Sequence, residues 1–205
     1  MKSFTNANPR DMAHAVTLMR QARQGGLTSV LAGGGSDLLG MMKERLVALD
    51  ARFRIAGPTG ERVVPAADFF TLPKDDAARE NVLKEDEVLA GIVLPAMRAG
   101  ARSRYHKVLD REAWTHAVVS AAIVLDIDRD VCRSARIVLG GVAPIPWRLP
   151  EVEKMLAGQR ITPELAAGAG EAAVAGARPL AKNGYKVPMT RAMVARTLER
   201  LGEAL

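Results

Sequence analysis

The stretch best equipped for chemistry is Val30-Leu31-Ala32-Gly33-Gly34-Gly35-Ser36-Asp37-Leu38-Leu39, a strand-like run that meets three glycines and then a helix-like run. A glycine turn placed there lets backbone N–H groups converge on one concavity, and the N-terminus of the next helix adds roughly half a positive charge. That arrangement suits an anion, phosphate above all. It is not a Walker loop, because no Gly-Lys-Ser/Thr follows, and it lacks the Rossmann spacing, since Leu38 stands where the third glycine would be. A plain strand-to-helix turn accounts for the glycines equally well. Elsewhere the chemistry-bearing residues are sparse. His14, His106 and His116 have no partners at ligand or triad spacing, so no residue is assigned a catalytic role and no metal site is expected. A single cysteine, Cys132, excludes an internal disulfide and iron–sulfur ligation by this chain alone.

Composition narrows the class further. The 205 residues are 48% hydrophobic and 25% charged, which suits one large or two small globular domains and rules out disordered and fibrous chains. The net charge is +6, yet the basic residues are scattered except between Arg98 and Arg111, and aromatics are only 4%. A nucleic-acid surface needs a basic stripe with interleaved aromatics, so nucleic acid is not an expected partner. No run approaches the roughly 18 apolar residues of a membrane span. Met1 to Asn6 turns polar where a signal peptide has its apolar core, and the expected location is cytoplasmic.

The elements that must position the glycine turn follow from capping and periodicity. Asn8-Pro9-Arg10-Asp11 caps a first helix carrying Met12, Ala15, Val16 and Met19, and Gly25-Gly26 stops it. Ser36-Asp37 caps a second helix through Leu38-Leu39 and Met41-Met42. Val47 to Ile55 and Glu61 to Val64 flank Gly57-Pro58-Thr59-Gly60 and predict a hairpin. The charged run Lys74 to Glu87 predicts a boundary, giving domains at 1–73 and 88–205. Beyond it, Val88 to Leu94 and Arg102 to Val108 read as strands. Thr115 to Ile127 and Arg133 to Val142 suggest a long strand pair, although the Ala-rich first arm also permits a helix. Three helices close the chain: Pro150 to Leu156, one from Thr162-Pro163 to about Ala177, and one after Pro188 with a core stripe of Met189, Met193, Leu198, Leu201 and Leu205.

Phe4, Asn8-Pro9, Ala15-Val16, the run Leu31 to Leu39 and Met42-Lys43 together resemble the FAD-binding subunit of molybdenum hydroxylases, the family of xanthine dehydrogenase and aerobic carbon monoxide dehydrogenase. Later motifs follow in the same order: Ala66-Ala67-Asp68-Phe69-Phe70, Glu85 to Leu89, Ile92 to Pro95, Tyr105-His106-Lys107 with Arg111, Leu139 to Pro144, and Asn183 to Lys186. The resemblance implies an α+β fold, a shortened FAD-binding domain followed by an antiparallel sheet with helices like the carbon monoxide dehydrogenase flavoprotein C-terminal domain. It also implies that Leu31, Ala32, Gly33, Gly34, Gly35, Ser36, Asp37 and Leu38 lie along the FAD pyrophosphate, with Leu89 and Lys107 approaching the cofactor from the second domain. By composition alone, Leu89 reads as a core residue and Lys107 as a solvated strand lysine. In the family a long stretch separates the segments matching Met42 to Leu46 and Val47 to Arg52. Here they are joined directly. By the same resemblance, the absent part would supply a second FAD-binding subdomain.

The implied function is an oxidoreductase subunit that passes electrons from iron–sulfur clusters through FAD to an acceptor. Its implied partners are a large molybdopterin subunit and a small 2Fe-2S subunit. A second reading is a non-catalytic assembly or interaction subunit of the same complex that has lost FAD binding. A third, a phosphate- or nucleotide-binding protein of another family, rests on the glycine turn alone.

Overall fold

The computed structural model describes residues 36–84, 87–111 and 116–203 together with nine single positions between 10 and 25; for 36–41 and 88 it describes the backbone only. Chain order is helix α1 (Ser36–Ala48), strands β1 (Arg52–Gly57), β2 (Gly60–Pro65), β3 (Val88–Val93), β4 (Ala101–Val108), β5 (Val119–Asp128), β6 (Val131–Gly140) and β7 (Trp147–Arg148), then helices α2 (Pro150–Leu156), α3 (Pro163–Val174) and α4 (Lys186–Glu203). Two antiparallel sheets result, a three-stranded one in the order β2-β1-β3 and a four-stranded one in the order β4-β5-β6-β7. The first helix and the strand predicted before Ser36 lie largely outside the described residues, as do Leu31 to Gly35.

Alternation along the large sheet builds two cores, because successive strand side chains point to opposite faces. Val119, Ala121, Ile123 and Leu125 of β5 join Ile137 and Leu139 of β6 under α2, α3 and α4. Ala122, Val124 and Val138 face the other way, into a cluster with Leu46, Val47, Ala48, Phe53, Ile55 and Phe69. The large sheet therefore stands between a helical layer and a layer made of α1 and the small sheet. Phe53, Phe69 and Phe70 pack edge to face, with ring centroids 4.6 to 6.4 Å apart.

Local chemistry explains most boundaries. Asp50, at φ 51, turns the chain out of α1 into β1, and Arg129 and Asp130, at φ 47 and 66, form the two-residue turn of the β5–β6 hairpin. The Ala-rich arm is a strand. Three expectations are corrected. Val47 and Ala48 end α1 instead of opening the first hairpin arm, because their side chains complete the second core. The last helix starts at Lys186, with Pro188 tolerated inside its first turn. Its buried stripe is Thr190, Met193, Val194, Thr197, Leu198 and Leu201; Met189 lies off it and is exposed, and Leu205 is outside the described residues. Val88–Val93, assigned by sequence to the second domain, is hydrogen-bonded to β1 in the small sheet.

Candidate functional site

The residues singled out by sequence that fall among the described ones stand on different elements. Ser36, Asp37 and Leu38 form the N-terminal turn of α1; Gly33 to Gly35, which immediately precede it in the sequence, lie outside the described residues. Further along α1, Glu44 and Arg45 face the large sheet. A Cβ built on Gly140 would collide with Glu44 Oε1 and come within 2.5 Å of Ser120 Oγ, which places the carboxylate against the end of β6. Arg136, nearer the start of β6, donates from Nε to Ala48 O at 2.8 Å. The helix thus runs along the sheet with its N-terminal end toward Gly140.

Lys107 lies at that same end. It pairs with Ser120, which pairs with Gly140, so the three stand in one row across β4, β5 and β6 and on one face. In the next row Tyr105 pairs with Ala122, and its ring lies 4.0 Å below the Arg45 guanidinium. Burial pushes the Glu44 carboxyl and the Tyr105 hydroxyl above their ordinary pKa values. Glu44 Oε2 and Arg45 Nε are buried without a hydrogen-bond partner among the described residues. Orphaned buried polar atoms are uncommon, and these two mark a polar seam beside the Lys107 row.

Leu89 lies on the small sheet, in β3. It pairs with Ile55, which is fully buried, yet Leu89 itself is 41% exposed. The composition-based reading of Leu89 as a buried core residue is thereby corrected. Lys107 is half-buried on its strand. Leu89 and Lys107 stand on different sheets, each toward one end of its strand. The Glu44–Arg45–Tyr105 seam has no signal in the sequence pattern, since it depends on how α1 lies across the sheet.

His106 occupies the opposite face of the sheet. The Thr197 hydroxyl donates to Met193 O at 2.6 Å and so accepts from His106 Nδ1 at 3.0 Å, which puts a proton on Nδ1. Burial, reinforced by Arg104, Arg200 and Arg196, lowers its pKa. The ring ties β4 to α4. Cys132 is fully buried, and burial raises its thiol to about 11, far from a reactive thiolate. No group of three or more His, Cys, Asp or Glu with metal-binding geometry occurs among the described residues. Among them, no helix is long and apolar enough to cross a membrane.

Residues 104–201, from β4 to the end of α4, match the family described as CO dehydrogenase flavoprotein C-terminal domain. This part of the chain is a flavoprotein C-terminal domain of that family. Relatives extend the match toward the N-terminus. The carbon monoxide dehydrogenase medium chain of Hydrogenophaga pseudoflava is 32% identical over 156 residues, which are 74% of this chain and 52% of the relative. The aldehyde oxidoreductase FAD-binding subunit PaoB of Escherichia coli is 30% identical over 151 residues, 73% of this chain and 44% of the relative. Among solved structures, the carbon monoxide dehydrogenase from Hydrogenophaga pseudoflava superposes with a TM-score of 0.69 at 31% identity, covering 79% of this chain and 57% of that one. The chain spans about half the length of the curated relatives it matches. The flavoprotein C-terminal domain contributes Tyr105, Lys107, Ser120 and Gly140 to the seam; α1 and β3 lie outside the matched residues.

Proposed function

We propose that the chain is the FAD-binding subunit of a molybdenum hydroxylase-type oxidoreductase, shortened relative to its homologues and working with a large molybdopterin subunit and a small 2Fe-2S subunit in the cytoplasm. One observation carries the reading. The helix that follows the glycine turn points its N-terminal end toward the sheet end bearing Lys107, as the resemblance to FAD-binding subunits requires.

In this reading the run Leu31 to Leu38 takes the pyrophosphate part of FAD. Backbone N–H groups of Gly33 to Ser36 and the dipole of α1 would hold the diphosphate, with Leu31, Ala32, Asp37 and Leu38 alongside. Lys107 would supply a positive charge and Leu89 an apolar contact, and the orphaned atoms of Glu44 and Arg45 offer polar partners nearby. Bound FAD supplies one- and two-electron redox chemistry that no side chain of the protein can perform. The chain's own contribution is to bind and orient it.

The absorption spectrum of the purified protein, with an FAD titration, tests the proposal. Weak saturable binding of FAD, lost on replacing Gly34 with a bulky residue, is the expected result. Absence of FAD binding both to the isolated chain and to the chain with its partner subunits overturns it. A second reading, an assembly subunit without flavin, is favoured by one feature of α1. The helix passes unbroken through Leu46 and Val47, 7% and 2% exposed, where the family resemblance puts a further FAD-binding segment. Partner subunits co-purifying with a colourless chain would establish it.

A further inference from the structure

At the opposite end of the large sheet from Lys107, a cleft of about 600 Å3 opens between the two layers. Its walls are the turn from α1 into β1, the connection from β3 to β4, and the facing ends of β5 and β6. Six charged residues line it: Asp50, Arg52, Arg98, Asp126, Arg133 and Arg136. Four guanidinium groups against two carboxylates leave a surplus of two positive charges. The volume falls in the range of small-molecule sites, roughly 300–1,000 Å3.

The arginines are not equivalent. Arg136 is committed to structure, since it donates from Nε to Ala48 O at 2.8 Å and pairs through Nη1 with Asp50 at 3.2 Å. Those contacts also neutralise the negative C-terminal end of α1, which would otherwise repel an anion. Asp50 is shared with Arg148 at 3.3 Å, so its charge is compensated twice. Arg133 reaches Asp128 at 2.9 Å, a carboxylate outside the lining. Arg98 touches Asp126 at 3.4 Å while its own side chain stays 81% exposed. Arg52 stands beside its strand partner Val93 with no carboxylate bound to it among the described residues. Arg52 therefore has no competing carboxylate, Arg98 is held to Asp126 only by its single 3.4 Å contact, and Leu49, Val93, Pro95 and Met97 add apolar surface to the same cleft.

We propose that this cleft binds a small organic polyanion of the nucleoside diphosphate class, its charged end held by Arg52 and Arg98 and its body against the apolar wall. Guanidinium groups in pairs suit phosphate oxygens because each presents a rigid fork of donors. The cleft is separate from Leu89 and Lys107, as Val93 and Ala101 line it while those two residues lie toward the other ends of the same strands.

Calorimetric titration of the whole chain with ADP, and separately with inorganic pyrophosphate, tests the proposal. ADP is expected to bind saturably, pyrophosphate more weakly, and the R52A/R98A variant at least tenfold more weakly than the parent. Both side chains are exposed, and the single variant Arg52→Glu, which leaves the Arg98–Asp126 pair intact, should show the same loss. ADP held instead at Gly33 to Gly35 would keep its affinity in these variants. That outcome, or no saturable ADP binding at all, overturns the proposal. Pyrophosphate binding as tightly as ADP overturns the role of the apolar wall.

Discussion

Gly140 is the residue whose identity is most tightly fixed by its neighbours. Glu44 Oε1 and Ser120 Oγ occupy the space a Cβ would need. Gly140→Ala should destabilise the protein by about 1–3 kcal/mol, the usual cost of overpacking a filled site, read from the midpoint of chemical denaturation. Glu44 itself is held neutral more readily than a free carboxyl, because burial raises its pKa above 4.5. Its contribution to stability is full below 4.5 and falls as pH rises through the higher folded value. Glu44→Gln should therefore raise stability near neutrality and leave it unchanged below 4.5, in denaturation curves taken at both pH values. The sequence displays Leu139-Gly140-Gly141 as a motif but not its reason. Glu44 lies far away in the chain, and only the crossing of α1 over β6 brings them together.

At the scale of elements, the strands and C-terminal helices were legible because each announces itself locally. Pro150, Thr162-Pro163 and the Asp128-Arg129-Asp130 turn mark ends, and the hairpin around Pro58-Thr59 closes as its turn residues predict. What local pattern could not decide was burial on both faces. β5 is buried at every position from Val119 to Leu125 because it lines two cores, and that erases the alternation which separates strand from helix. The short helix α2 shows how elements are locked together. Glu153, buried, accepts from Ile137 N at 2.9 Å and from Arg148 Nε and Nη2 at 3.0 Å. Glu153→Ala should cost about 1–3 kcal/mol by orphaning the Ile137 N–H alone, measurable as a fall in thermal midpoint. Arg62 performs a similar task between β2 and β3, holding Glu87 through two 2.8 Å bonds and depressing its pKa to about 2. That link is present above the ordinary value of 4.5 and weakens as pH falls toward 2.

For the molecule as a whole, the connection between Lys74 and Glu87, exposed at 74–75 and 77–80, is the expected first site of limited proteolysis, with 88–205 as the second fragment. The pairing of β3 with β1 adds a condition. Cleavage there should leave both fragments associated on gel filtration under native conditions and separable only in denaturant. First cleavage within β6 would count against the division. The glycine turn, the element that carries most of the functional reading, is legible only in the sequence, whereas the Arg52–Arg98 cleft is legible only in the structure. Its four arginines come from distant points in the chain and share no spacing.

Sharing one sheet also couples the two cores in time. Neither can close until β5 and β6 are paired, since each strand supplies walls to both. The two-residue turn at Arg129-Asp130 makes that pairing a short loop to close, on a timescale of about 1–10 μs for an isolated hairpin. Ile137→Val, in the β6 arm, is accordingly expected to slow refolding, while Leu198→Ala in α4 should chiefly accelerate unfolding. Stopped-flow chevron plots that showed the reverse would place the nucleus in the helical layer instead.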